Sequence, residues 1–106
     1  MVAAVDGRAP VVVDGGFLRG ADVVKALCRG ATAVGMGRLE GLAMAAGGAA
    51  GIVKALELVE HEIKTTMALM GAASLSELNP DFLERCEATT TPHVLSAFPL
   101  LEDGYL

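Results

Sequence analysis

The chain has 106 residues, of which 53% are hydrophobic and only 4% aromatic, and its formal net charge is −5. A chain of this length forms at most one small domain, and an acidic balance without a basic cluster argues against nucleic-acid binding. The apolar content exceeds what a lone small domain needs, so we expect some apolar surface to face another chain or a further part of the same fold.

Membrane and secretory classes are also disfavoured by the sequence. The longest uncharged run, residues 41–53, includes four glycines and is shorter than the roughly 20 apolar residues that span a bilayer, so we expect no membrane span. The N-terminal residues lack the basic start and long apolar stretch of a signal peptide. Cys28 and Cys86 show no metal-ligand or C-x-x-C spacing, which predicts reduced thiols and a cytoplasmic location.

The apolar pattern of the first third predicts a βαβ unit. Residues 2–5 resemble a helix end, and residues 6–10 are rich in turn formers. Residues 11–13 form a short, continuous β-branched run, typical of a strand buried on both faces of a parallel sheet. Residues 22–28 repeat apolar side chains at helical spacing, and Gly30 is expected to end that helix. Residues 32–34 then predict a second, parallel strand.

Two helices are predicted after the second strand. A short one begins at Leu39, and glycines at positions 47, 48 and 51 are expected to separate it from a long one that ends at Gly71. The long helix carries an apolar stripe, which comprises Ile52, Leu56, Val59, Ile63, Met67 and Met70. Its polar side includes His61 and an i,i+4 pair of Glu60 and Lys64.

Two parallel strands do not make a stable sheet, so the predicted elements fit part of a larger α/β fold. We expect residues 1–88 to form the C-terminal portion, the last two βα units, of a (β/α)₈ TIM barrel, and residues 89–106 to form an extended tail. In such barrels a phosphate site is often built by the loops after the last two strands and a short extra helix.

Glycines and arginines at the two predicted strand ends match such a phosphate site. Gly15, Gly16 and Gly37 allow backbone N–H groups to approach an anion, and Arg38 can add a charge-assisted hydrogen bond. The alternative is that the glycines only form tight turns and the arginines are surface charges. A dinucleotide fingerprint in "GMGRLEG" is rejected, because its third glycine is one position late and no further strand follows.

The stretch "VVVDGGFLRGADVVKALCRGATAVGMGR" and its continuation to Leu78 resemble the C-terminal segment of the FMN-dependent α-hydroxy acid oxidase and dehydrogenase family. This family includes glycolate oxidase, lactate oxidase and mandelate dehydrogenase. The resemblance implies an FMN cofactor, a small 2-hydroxy acid substrate and oxidation to a 2-oxo acid in the assembled enzyme.

The resemblance also assigns cofactor-binding residues. Asp14, Gly15 and Gly16 correspond to a segment against the ribityl chain and phosphate of FMN, and the pair Gly37 and Arg38 corresponds to phosphate ligands on the last strand. The family pattern Asp-Gly-Gly-x-Arg-Arg-Gly has two arginines.

This chain keeps Arg19 at the second of those arginine positions but has Leu18 at the first. The first arginine is the one that the resemblance places at the phosphate, so Leu18 is expected to weaken FMN binding. Arg19 is retained as a predicted cofactor-binding residue.

The resemblance places the catalytic His and Arg in a His-Gly-x-Arg loop about thirty residues before Asp14, and this chain has thirteen residues there. His61, His93 and Tyr105 lie outside such motifs, so we expect no catalytic residue in this chain and no turnover by it alone. A second chain, a missing N-terminal part or self-association would complete the enzyme. Two alternatives remain: a non-catalytic truncation product or interaction subunit that packs through the old cofactor lobe, and a different phosphate-binding barrel enzyme.

Overall fold

The computed structural model describes residues 2–86, so the predicted tail, residues 89–106, lies outside the described residues. The main elements occur in the order helix, strand, helix, strand, long helix, which confirms the predicted βαβ unit and the α/β class. Their bounds are α1 Val2–Val5, β1 Val12–Asp14, α2 Gly20–Cys28, β2 Ala33–Gly35 and α3 Gly37–Met70. Two short 3₁₀ turns follow at Leu75–Glu77 and Pro80–Phe82.

The two strands pair in parallel, as predicted, although each begins one residue later than expected. Just before the ladder, the Thr32 N–H donates to the Val11 carbonyl oxygen at 2.7 Å, and the Thr32 hydroxyl accepts from the Val11 N–H at 3.2 Å. The register aligns Val12 with Ala33, Val13 with Val34 and Asp14 with Gly35. Both strands therefore end at the same edge of the sheet.

The prediction that the first strand is buried on both faces is wrong for this structure. Val12 is 62% exposed and Val13 is 36% exposed, although Val11, just before the strand, is buried. Within residues 2–86 the sheet has only two strands, so no further strand flanks the pair. The apolar run is typical of a strand with other elements packed on both faces, and the described residues do not pack on both faces of this strand.

Among residues 2–86, helix α2 holds the best-buried side chains. Val24 and Cys28 are each 1% exposed, and they lie four residues apart on one face, as the helical spacing predicts. Gly30, with a φ of 87°, follows the end of the helix in the left-handed conformation that favours glycine. The prediction that Gly30 ends this helix is confirmed.

A small hydrophobic core joins the βα loop, α2 and α3. It centres on Phe17, Val23 and Val59, which are 6–9% exposed. The residues packed around it are Ala26, Leu27, Val34, Met36, Leu39 and Ile63. The core thus lies between the two helices, beside the strand ends.

Helix α3 is interrupted at Gly47 and Gly48, which have non-helical backbone angles. The break separates residues 37–46 from residues 49–70, as the glycines predicted. Gly51 is required by packing, because a Cβ there would overlap the Ala43 carbonyl oxygen across the bend. Gly71, with a φ of 78°, caps the helix end as predicted.

The predicted apolar stripe of α3 is buried unevenly. Val59 is 6% exposed, whereas Leu56, one turn earlier, is 53% exposed. Val59 faces α2, and nothing among the described residues covers Leu56 to the same extent. The helical periodicity of the stripe is therefore correct, but only part of it forms core in residues 2–86.

By length and composition alone, Gly37–Met70 is also long and apolar enough to cross a membrane. The expectation of no membrane span rested on the shorter run, residues 41–53, and it stays a prediction. The glycine break within this element means that it is not one straight helix.

Candidate functional site

A cleft of about 450 Å³ opens where the two strands end. We call it the strand-end cleft. Within residues 2–86 its lining comprises two consecutive stretches, Asp14 to Phe17 after β1 and Gly35 to Arg38 around the start of α3. The parallel register brings these stretches together, because it aligns Asp14 with Gly35. Five of the six predicted cofactor-binding residues therefore lie in one cleft: Asp14, Gly15, Gly16, Gly37 and Arg38.

The first wall of the cleft is shaped by two glycines with positive φ. Gly15 has a φ of 101° and Gly16 a φ of 81°, values that residues with a Cβ rarely adopt. This conformation turns the chain sharply out of β1, and it leaves the backbone without side chains where it borders the cleft. A ligand can therefore approach the peptide groups of this turn closely.

Asp14 lies across the end of the neighbouring strand. A Cβ on Gly35 would come within 2.5 Å of the Asp14 carboxylate oxygen Oδ1, so the carboxylate occupies the space that a side chain at position 35 would need. A carboxylate accepts hydrogen bonds from hydroxyl groups, and it repels a phosphate. Asp14 therefore suits the hydroxyl-bearing part of a ligand better than its anionic end.

The second wall begins helix α3. Gly37 is the first residue of the helix, and a Cβ added there would meet no atom within 4 Å. Neither packing nor a positive φ therefore requires a glycine at this position in the protein itself, whereas close approach of a ligand would. Arg38 follows it, exposed and lining the cleft. Helix N-termini and arginines both favour anions, so this wall suits a phosphate.

The sixth predicted residue, Arg19, is held outside the cleft lining by Glu62 of α3. Its Nε and Nη2 lie 2.7 and 2.6 Å from Glu62 Oε1. The Arg19 hydrogen bond, followed by that of the Gly20 N–H, lowers the pKa of Glu62, and the same pair raises the pKa of Arg19. The structure thus shows Arg19 bound to another protein side chain, and its contact with a cofactor stays a prediction.

Leu18, which replaces an arginine of the family pattern, is half-buried in the same loop. Its N–H lies 3.3 Å from Asp22 Oδ2, and the Arg19 N–H lies 3.0 Å from the same oxygen. Asp22 thereby fixes the backbone just before α2. This arrangement depends on backbone groups and therefore does not need a leucine at position 18.

His61 lies on the exposed side of α3, as its helical position predicts. It borders a separate surface depression together with Arg19, Glu62 and Thr65, and it is not part of the strand-end cleft lining. His93 and Tyr105 lie outside the described residues. The expectation that these residues are not catalytic stays a prediction.

Three features of the site were missed from the sequence. Phe17 and Met36 line the cleft and also contact the core, so their apolar character signalled only packing. Glu62 was assigned to neither side of α3, and its partner Arg19 is 43 positions away. A glutamate one position before the apolar Ile63 gave no sequence signal for such a long-range ion pair.

Comparison with known proteins gives a consistent family match. The model of the family described as FMN-dependent dehydrogenase matches residues 1–85. Glycolate oxidase 3 of Arabidopsis thaliana is 45% identical over 97 residues, which cover 92% of this chain and 26% of that protein. The L-lactate oxidase of Nostoc sp. is 43% identical over 83 residues, which cover 78% of this chain and 23% of that protein.

Solved structures show the same similarity in three dimensions. A soluble mutant of the membrane-associated (S)-mandelate dehydrogenase from Pseudomonas putida superposes with a TM-score of 0.74 at 39% identity, covering 78% of this chain and 24% of that one. A flavocytochrome b2 variant gives a TM-score of 0.74 at 38% identity, and the match covers 88% of this chain and 25% of that one. The chain thus spans about a quarter of the length of the proteins that it matches.

Proposed function

Since the chain belongs to the FMN-dependent dehydrogenase family, we propose that it supplies the part of a 2-hydroxy acid oxidoreductase that holds the phosphate end of the cofactor. The family indicates that the cofactor is FMN, and its structural neighbours are α/β-barrel enzymes. Within that class we assign the two strands to the last two βα units of the barrel.

The observation that carries the proposal is the strand-end cleft. Its two walls join the positive-φ turn at Gly15 and Gly16 to the helix start at Gly37 and Arg38. An FMN phosphate would accept hydrogen bonds from backbone N–H groups of these glycines and from the Arg38 guanidinium. Asp14 would accept hydrogen bonds from ribityl hydroxyls, which keeps its negative charge at the sugar side of the site.

FMN, when bound, supplies the acceptor for the hydrogen that leaves C2 of a 2-hydroxy acid as the 2-oxo acid forms. The residues of the cleft bind and orient the cofactor and move no proton. His61 lies away from the cleft, so we propose that the general base and the substrate-binding arginine come from polypeptide outside residues 2–86, in a further segment or another chain. Residues 2–86 are then inactive without that polypeptide.

Flavin titration of the 106-residue chain tests the proposal. FMN and riboflavin differ only in the phosphate, so the ratio of their dissociation constants isolates the phosphate contact. We expect FMN to bind more tightly than riboflavin, and Arg38→Ala to weaken FMN binding about ten- to hundredfold through the lost charge-assisted hydrogen bond, while riboflavin binding stays unchanged.

Two control variants accompany Arg38→Ala. Arg29→Ala removes an arginine at the far end of α2, and His61→Ala removes the histidine of the separate depression. Neither should change the ratio. Equal affinities of the wild-type chain for FMN and riboflavin, or an unchanged ratio in Arg38→Ala, would refute the proposed phosphate site.

A further inference from the structure

The loop between β1 and α2 has one anchor that comes from its own helix. Asp22 Oδ2 accepts hydrogen bonds from the N–H groups of Leu18 and Arg19. This contact is local and fixes the end of the loop relative to α2. It does not fix α2, or the loop, relative to the second wall of the strand-end cleft, which belongs to α3.

Glu62 provides an anchor that does come from α3. Its Oε2 accepts the Gly20 N–H at 2.7 Å, while its Oε1 accepts Nε of Arg19 at 2.7 Å. The Glu62 side chain is 30% exposed and that of Arg19 is 71% exposed. One carboxylate therefore holds both the first N–H of α2 and the side chain of the residue before it.

The backbones of the two helices touch at the same point. A Cβ on Gly20 would lie 2.5 Å from the Ile63 backbone nitrogen and 2.7 Å from the Val59 carbonyl oxygen. Phe17, in the loop, belongs to the same core as Val59. The loop that forms the first cleft wall is thus fixed to the part of α3 that follows the glycine break. That part is tied to the second wall through the shared core, because Met36 and Leu39 pack against the same cluster as Val59 and Phe17.

We propose that Glu62 is a positioning residue of the flavin phosphate site and that Arg19 acts on the site through Glu62 rather than by contacting the phosphate. This inference rests on the proposed function. Loss of Glu62 would release the start of α2 and the preceding loop, so that Gly15 and Gly16 no longer face Gly37 and Arg38 at a fixed distance.

The proposal makes the opposite prediction from simple electrostatics. Glu62 carries a negative charge, so its removal would strengthen the binding of a phosphate if charge alone mattered. If Glu62 instead positions the loop, its removal should weaken the binding of the phosphate. We expect Glu62→Ala to weaken FMN binding about tenfold relative to riboflavin, whereas Glu62→Gln, which keeps an oxygen acceptor for the Gly20 N–H, should lose less.

The role of Arg19 is tested by a double-mutant cycle. If Arg19 acts through Glu62, the double variant Arg19→Ala with Glu62→Ala should weaken FMN binding to the same extent as Glu62→Ala alone. Arg19→Ala by itself leaves the Gly20 N–H bound to Glu62, so it should weaken binding no more than Glu62→Ala does. If Arg19 contacts the phosphate itself, the two effects multiply. Glu60→Ala is the matched control, because Glu60 is on the same helix and, within residues 2–86, its ion pair is with Lys64 and not with the loop. It should leave the FMN-to-riboflavin ratio unchanged.

A flavin-free measurement separates this inference from the proposed function. Amide hydrogen exchange of the wild-type chain should show protection of the Gly20 N–H, which Glu62→Ala should reduce and Glu60→Ala should not. If neither the wild-type chain nor any variant prefers FMN to riboflavin, the proposed function fails, and Glu62 then has no flavin site to position. The exchange data still decide independently whether Glu62 holds the loop. Multiplicative effects of Arg19→Ala and Glu62→Ala, tighter FMN binding in Glu62→Ala, or unchanged Gly20 exchange would overturn the positioning role.

Discussion

The junction between α2 and α3 and the face of the two-stranded sheet contrast within one small unit. At the junction, Val23 is 7% exposed and Val59 is 6% exposed, and Gly20 permits direct backbone contact. On the sheet, Val12 is 62% exposed although its sequence is equally apolar. The contrast shows that an apolar sequence indicates which residues can be buried. Whether such a residue is buried within residues 2–86 depends on whether another element packs against it.

The largest expected effect on stability comes from placing a charged side chain at the α2–α3 junction, compared with the same change on the exposed sheet. Val23→Asp buries an unpaired carboxylate in the core at the junction and should cost about 3 kcal/mol or more, enough to abolish cooperative unfolding of so small a core. Val12→Asp places the same charge on an exposed strand and should change stability far less. Thermal unfolding followed by circular dichroism compares the two, and equal losses would contradict the assignment of the core.

Association of the chain is the second test of the open sheet. Exposed strands with unpaired edges and apolar side chains tend to recruit partners, so we expect dimers or larger species of the 10.8 kDa chain in size-exclusion chromatography with light scattering. Val12→Lys should reduce the mean mass. Leu75→Lys, which changes an exposed leucine outside the sheet, should not. A cooperatively folded wild-type monomer would show that the open face needs no cover.

A smaller effect is expected at position 18, where the loop after the first cleft wall departs from the family pattern. Leu18→Arg restores a guanidinium directly after the first cleft wall and should tighten FMN binding about tenfold without changing riboflavin binding. Flavin fluorescence titration measures both constants. Unchanged or weaker FMN binding would mean that the side chain at position 18 does not face the phosphate.

The smallest expected effect is a pH dependence at the α2–α3 junction. Hydrogen bonds from Arg19 and Gly20 lower the pKa of Glu62 below its usual value of 4.5, so the stability that Glu62 contributes is present above pH 4.5 and is lost as the pH falls through its lowered value. The raised pKa of Arg19 keeps that partner charged throughout. The difference in unfolding midpoint between wild type and Glu62→Gln should therefore shrink from pH 7 to pH 3.

Glu60→Gln provides the comparison for that experiment. Lys64 also lowers the pKa of Glu60, but both side chains are well exposed, and such pairs contribute little. Its pH-dependent difference should be smaller than that of Glu62→Gln. A difference for Glu62→Gln that stays constant with pH would show that the Arg19 pair does not stabilise the junction.

The sequence by itself determined the features that depend on near neighbours along the chain. Glycine at positions 30 and 71 predicted helix ends, because helices often end at a residue in the left-handed conformation and glycine adopts that conformation most easily. The apolar periods predicted the βαβ unit, and the spacing of glycines predicted the break before residue 49. The cleft residues after each strand were also predicted, because parallel strands bring their carboxyl ends to one edge.

Only the tertiary structure decided which apolar residues are covered and where Arg19 points. The Arg19–Glu62 pair joins residues 43 positions apart, and the need for glycine at position 20 arises from the backbone of another helix. Long-range contacts of this kind depend on how α2 packs against α3, which no local pattern encodes. The apolar patterns around Val12 and Leu56 predicted burial, yet both side chains are more than half exposed. Burial requires a second surface to pack against, and residues 2–86 do not provide one for these two side chains.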